Sequence, residues 1–207
     1  MINIVSKNDL KTCIHKVRNA GDKNRSDEKY NQASVLVLFI NDKQKKNSSI
    51  LMIKRKKNLR KHAGQIAFPG GRREKEDFNL KETAQRETEE EINISKDNYN
   101  IIGNLPKFFT GTGYVVTPFI GIMKTSSNWK KKLKPNLIEV EQIFFPLADY
   151  LLSPKFHSRE KPPINSSMSM TWAINYNNEN IWGLTARVLV TISAGLGLRE
   201  FPPCDDI

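Results

Sequence analysis

Cysteine is scarce. The only two, Cys13 and Cys204, stand at opposite ends of the 207-residue chain and match no metal-ligand spacing. A disulfide framework and a thiolate metal site are therefore excluded as organising features, and both residues read as free thiols of a reducing compartment. No apolar run approaches the roughly 20 residues that a membrane span needs, so no membrane partner is expected. Residues Met1 to Asn19 lack the basic-then-apolar layout of a secretory signal, and the cytoplasm is the expected location. Internal repeats are lacking. Acidic residues are in deficit, with 22 Asp and Glu against 33 Lys and Arg, for a formal net charge of +11. A positive field favours an anionic partner, either nucleic acid or a phosphorylated small molecule. Codon bias toward Lys, Asn and Ile gives the same excess, so charge alone decides nothing. The aromatic-and-basic signature of single-strand binders is absent, so nucleic acid is not the expected partner. Nothing in the sequence sets the oligomeric state.

What is present is one domain's worth of alternating elements, 1–207, with a core from about 34 to 193 and an N-terminal helix and loop at 1–33. Ser6 caps a helix, answered by Asp9, and Leu10, Cys13, Ile14 and Val17 recur at helical spacing. Ser34 to Ile40 is a continuous apolar run that reads as a buried strand, and Ile50 to Ile53 as its hairpin partner. Gly64 to Gly71 is turn-rich. Asn79 caps a helix that runs to about Ile92. Strands are predicted at Asn100 to Gly103, Tyr114 to Met123 and Ile138 to Phe145, with a lysine-rich loop, Ser126 to Pro135, before the last. Pro146 to Leu152 reads as a short helix and Ser158 to Ser167 as a polar loop. Met168 to Tyr176 and Asn180 to Trp182 form a hairpin around Asn177-Asn178, and Leu184 to Leu196 is a final buried helix. Strands mixed with helices imply an α/β (α+β) domain.

The chemistry lies in Arg86-Glu87-Thr88-Glu89-Glu90-Glu91. Helical positions three and four apart share a face, so Glu87, Glu90 and Glu91 converge. Like charges at those spacings destabilise a helix by roughly 0.2–0.5 kcal/mol per pair, and a cation between them reverses the penalty. Carboxylates are the ligands that Mg²⁺ and Mn²⁺ prefer. Taken alone, the run reads as a solvated acidic face. A glycine-rich loop and a basic segment, Lys54 to Lys61, stand just upstream and shift the reading to a metal site.

The arrangement resembles the Nudix box. Gly71 opens it, Asp77 stands at its first acidic position, Arg86, Glu87, Glu90 and Glu91 fill its core, and Ile94 closes it. Three positions depart from the pattern. Asp77 replaces Glu, eight residues rather than seven separate it from Arg86, and Asn93 replaces a late Gly. Asn is the next-best residue at a left-handed helix end. Upstream, Leu51-Met52-Ile53-Lys54-Arg55 and Leu59-Arg60-Lys61-His62-Ala63-Gly64-Gln65-Ile66-Ala67-Phe68-Pro69-Gly70-Gly71 resemble the signature of the coenzyme A pyrophosphatase branch. Thr112-Gly113-Tyr114 to Pro118 and Ile181 to Ala186 are similar to the same branch.

The resemblance implies a Nudix fold: a mixed sheet sandwiched between helices, with a catalytic loop-helix-loop. It implies metal-dependent hydrolysis of the diphosphate in coenzyme A or its derivatives, giving 3′,5′-ADP and 4′-phosphopantetheine. Mg²⁺ or Mn²⁺ would be held by Glu87, Glu91 and Glu90, with the carbonyl of Gly70. Arg86 would orient the carboxylates. The general base stays open between a helix glutamate such as Glu90 and a downstream carboxylate, Glu139 first and Glu141 second, the two sharing a face if both are on a strand. Arg55, Arg60, His62 and Gln65 are the candidates for substrate contacts. Two other readings stand beside this one. The same chemistry could serve another nucleoside diphosphate derivative, or a basic RNA-binding module could retain the scaffold.

Overall fold

The computed structural model describes residues 4–20, 28–59, 61–124, 129–162 and 170–202. Helix α1 (Lys7–Ala20) opens the chain. Its capping box is closed reciprocally: Ser6 N–H donates to Asp9 Oδ2 at 2.8 Å, and Asp9 N–H to Ser6 Oγ at 3.1 Å. Strand β1 (Asn31–Asp42) follows, then β2 (Asn47–Ile50), β3 (Met52–Arg55), β4 (Ile66–Ala67) and β5 (Gly70–Arg72). After α2 (Leu80–Ile92) come β6 (Tyr99–Asn104), β7 (Phe108–Phe109) and β8 (Tyr114–Met123). The chain closes with α3 (Trp129–Lys132), β9 (Val140–Phe144), α4 (Ala148–Leu152), β10 (His157–Glu160), β11 (Thr171–Tyr176), β12 (Glu179–Trp182) and α5 (Leu184–Gly195).

The main sheet runs β2-β1-β8-β6, with β5 also paired to β1 and β7 to β8. The pair β1–β8 is parallel over nine residues, and the other pairs in this sheet are antiparallel, so the sheet is mixed. Both of its faces are covered, which is why β1 reads as an uninterrupted apolar run. Leu36 and Leu38 pack with Ala84, Ile92 and Ile94 of the α2 region. Val37 and Phe39 pack on the opposite face with Leu10, Ile14 and Val17 of α1 and Val188 and Ile192 of α5. This is the sandwich of helices on a mixed sheet that the sequence implied.

The apolar segment Ile50 to Ile53 does not continue one hairpin. Ile50 pairs with Phe39 of β1, whereas β3 leaves for a second sheet, β4-β3-β9. The chain changes sheets at Leu51, whose N–H still donates to Leu38 O at 3.0 Å. A run this short carries no pattern that separates one strand from two. The third sheet, β10-β11-β12, replaces part of the polar loop expected at Ser158 to Ser167, because His157 to Glu160 pair with Thr171 to Ile174. Residues 163–169 lie outside the described residues. The hairpin around Asn177 and Asn178 is present, with both residues left-handed at φ 48° and 63°. Within the lysine-rich segment before β9, a single helical turn, α3, buries Trp129 against the α2 side of the core.

Candidate active site

Helix α2 starts where the side chain of Asn79 accepts from the N–H groups of Lys81 and Glu82. It ends at Asn93, left-handed at φ 58°, whose N–H donates to Glu89 O at 2.8 Å. Asparagine thus does the work of the missing glycine. Thr88 is fully buried and returns its hydroxyl to Ala84 O at 2.6 Å. The inner face of α2 is therefore anchored; Glu91 is buried beside it, with Glu87 half-buried and Glu90 exposed along the same edge of the helix.

Arg86 ties this face together. Its guanidinium donates to both oxygens of Asp77, at 2.9 and 3.0 Å, to Glu87 Oε1 at 3.0 Å, to Glu90 Oε2 at 3.1 Å and to Arg72 O at 3.1 Å. Only a planar five-donor group makes such a set. The arginine explains Asp77. Its buried carboxylate also accepts from Glu74 N–H and Thr83 Oγ1, both at 2.9 Å, and Arg86 holds it well below the usual carboxylate range. The Asp77 carboxylate, in the loop ahead of α2, serves as a structural anchor for Arg86.

Glu91 is the most enclosed of the three helix glutamates, with 3% of its side chain exposed. One oxygen accepts from Gly70 N–H and the other from Arg55 Nη1, each at 3.0 Å. Burial still dominates and pushes its carboxyl up to about 8. Burial also raises Glu87, against the pull of Arg86. The loop passes so closely that Gly70 admits no side chain and one at Gly71 would displace the Glu87 carboxylate. A Cβ on Gly71 would lie 2.4 Å from the carboxyl carbon of Glu87, and one on Gly70, at φ 150°, would lie 2.3 Å from Ser34 O. Strand β5, hidden in sequence inside a turn-rich segment, holds both glycines against β1.

The downstream carboxylates separate. Arg55 Nη2 donates to Glu139 Oε2 at 3.3 Å, so one guanidinium bridges Glu91 and Glu139. Glu141 instead meets Lys54 Nζ at 3.6 Å, and Lys54 also pairs with Glu179. The shared face expected of Glu139 and Glu141 is lost for a specific reason. The register of β3 on β9 shifts between Lys54 and Arg55, which pair with Gln142 and Val140, leaving Glu141 as the extra residue of a bulge. Glu139 itself precedes the strand and remains part of the site.

His62 Nδ1 lies 2.9 Å from Gln65 Oε1 on an exposed loop, where His62 is left-handed at φ 56°. These two hold one another. The loop is tied to β3 by Arg55 N–H on Gln65 O at 2.9 Å. Arg60 lies outside the described residues. Missed by sequence reasoning was the bridging role of Arg55, which a pattern of basic residues gives no means of separating from a phosphate contact.

The chain has relatives among known proteins. The model of the NUDIX domain matches residues 30–166, and the chain belongs to the Nudix hydrolase family. It is accordingly a pyrophosphohydrolase, of a family whose members generally use divalent metal ions. It is 34% identical over 161 residues to the Nudix hydrolase NudL of Pectobacterium atrosepticum, covering 76% of this chain and 79% of that one. It is 36% identical over 144 residues to NudL of Yersinia pestis, covering 68% and 69%. Among solved structures, a MutT/Nudix family protein from Enterococcus faecalis aligns over 90% of this chain and 73% of its own, with a TM-score of 0.49 and 14% identity.

Among the described residues no three His, Cys, Asp or Glu side chains form a ready-made metal cage. The donor chemistry nevertheless suits a hard divalent cation. Three carboxylates share one helical face, and the burial that raises Glu87 and Glu91 is the penalty a bound cation removes.

Proposed function

We propose that the chain hydrolyses the diphosphate of coenzyme A or its derivatives, releasing 3′,5′-ADP and 4′-phosphopantetheine. One observation carries this reading. Both ends of the Leu51 to Gly71 segment, whose sequence resembles the coenzyme A branch, meet at a single carboxylate: Arg55 and Gly70 hold the two oxygens of Glu91. The residues that suggest the substrate are thus joined directly to those that suggest the chemistry.

Glu87, Glu90 and Glu91, with the Gly70 carbonyl, are the proposed holders of Mg²⁺ or Mn²⁺. Bound there, the ion would neutralise charge on the diphosphate and lower the proton affinity of a water. Arg86 fixes the rotamers of Glu87 and Glu90 from one side while Asp77 fixes Arg86 from the other. Glu139 is the proposed general base outside the helix. Its side chain is 44% exposed, so water reaches it, and Arg55 restrains it beside Glu91. Glu141, engaged by Lys54 at the bulge, is not retained in that role. Arg55, His62 and Gln65, with Arg60, remain the proposed substrate contacts, Arg55 with the further task of aligning two carboxylates.

The reading is tested by incubating purified protein and Mg²⁺ or Mn²⁺ with a panel of coenzyme A, ADP-ribose, a dinucleotide and an oxidised nucleotide. Preferred turnover of coenzyme A supports it. Well-folded, metal-loaded protein that leaves coenzyme A intact refutes it.

A further inference from the structure

Leu137 and Ile138 are 67% and 77% exposed, an unusual position for two adjacent large aliphatic side chains. Their turn is hydrogen-bonded to the backbone of α2 and of the residue after β3. Asn136 N–H donates to Glu91 O, at the C-terminal end of α2, at 2.8 Å. The Asn136 side chain accepts from Ile138 N–H at 3.1 Å, and the Asn136 carbonyl from Glu139 N–H at 3.1 Å and Val140 N–H at 2.8 Å. Glu139 O accepts from Lys56 N–H at 2.9 Å, while the Glu139 side chain sits on Arg55. The next residue after the apolar pair is therefore the carboxylate that shares a guanidinium with Glu91. Consecutive Cα atoms are about 3.8 Å apart, so the Cα atoms of the pair lie within about 8 Å of that of Glu139.

A diphosphate in this site has two arms. In a dinucleotide or a nucleoside diphosphate sugar, the group next to the diphosphate is a hydroxylated ring. In coenzyme A, one methylene separates the pantetheine-side phosphate oxygen from a quaternary carbon bearing two methyl groups. That branched aliphatic carbon lies within about two bond lengths of the phosphate ester oxygen, the range at which a lip bordering the carboxylates would meet it. Hydroxyl groups placed there would lose water to a surface that offers no hydrogen bond, whereas methyl groups gain by the contact. From this we infer that Leu137 and Ile138 form an apolar lip that recognises the dimethyl carbon of the pantetheine arm, making them specificity residues for coenzyme A over sugar-bearing diphosphates. The inference rests on the substrate reading above and adds which half of the substrate lies on which side of the site.

The test is the double variant Leu137→Ser/Ile138→Ser in the full chain. Both residues are exposed, so the thermal midpoint should stay close to that of the wild type. The kcat/KM for coenzyme A should fall about tenfold, equivalent to about 1.4 kcal/mol. Inhibition by the product 4′-phosphopantetheine should weaken by a similar factor, while inhibition by 3′,5′-ADP changes less than twofold. The pair Leu137→Met/Ile138→Val should retain wild-type values. Equal changes in both inhibition constants, no change in either, or conversion of a wild-type oligomer to a monomer would overturn the inference. Wild-type protein that turns over another diphosphate but not coenzyme A would overturn the substrate reading first, and the lip with it.

Discussion

At Glu91 burial and charge conflict directly. Its carboxyl is enclosed, it keeps one guanidinium and one backbone N–H as partners, and its proton affinity still rises. Glu91→Gln removes the charge while preserving the shape. We expect kcat to fall by roughly 10²–10³-fold, in the range seen when one preorganised electrostatic contact is lost, with folding intact. Mn²⁺ affinity, followed by the spectroscopic signal of the free ion, should fall in parallel. Unchanged turnover at saturating metal would refute the role of Glu91 as a ligand. Asp77 behaves in the opposite sense. Arg86 lowers its proton affinity below that in the unfolded chain, so its stabilising effect is complete above about pH 3.9 and is lost as pH falls through lower values. Asp77→Asn should destabilise the protein by about 2–4 kcal/mol near neutrality, since it breaks a buried pair. In denaturant titrations the gap between variant and wild type should narrow below about pH 4. A gap that stays constant down to pH 2 would show that the Asp77–Arg86 pair contributes nothing through charge.

At the level of elements, helix α2 was legible almost to the residue. Its cap at Asn79, its carboxylate spacing and its asparagine end are all local, and local rules decide them. The strands around it were less so. The split of Ile50 to Ile53 between two sheets, and the β5 pairing inside a glycine loop, depend on partners more than ten residues away. The separation of Glu139 from Glu141 depends on a bulge, which no periodicity announces. Two close approaches between elements give direct tests. Gly71→Ala would drive a methyl into the Glu87 carboxylate, so activity should fall by about tenfold or more with little loss of stability. Where α5 crosses α1, a Cβ on Gly195 would lie 2.6 Å from Cys13 Sγ and 2.7 Å from Val17 Cγ2. Gly195→Ala should therefore destabilise by about 1–3 kcal/mol, through overpacking, and leave kcat unaltered. The same crossing buries the Cys13 thiol and pushes it up to about 12, so thiol reagents should modify Cys13 only on unfolding. Rapid labelling of Cys13 in the native state would contradict the packing of α1 on α5.

For the molecule as a whole, the two-faced burial of the mixed sheet sets α2 on one side and α1 with α5 on the other. Two sheets then converge so that β3, β5 and the turn before β9 deliver Arg55, Gly70 and Glu139 to one end of α2. The glutamate face was legible because a helix maps sequence spacing onto a surface. Its completion by Arg55 and Glu139 was not, because β3 and the turn before β9 reach the helix only through tertiary structure. The +11 charge fits an anionic substrate and predicts a kcat/KM for coenzyme A that falls as salt rises from 50 to 500 mM. The most direct measurement is product analysis of coenzyme A incubated with the metal-loaded protein. Release of 3′,5′-ADP and 4′-phosphopantetheine in equal amounts is the predicted result. Coenzyme A left intact by protein that cleaves another diphosphate in the same assay would contradict the account.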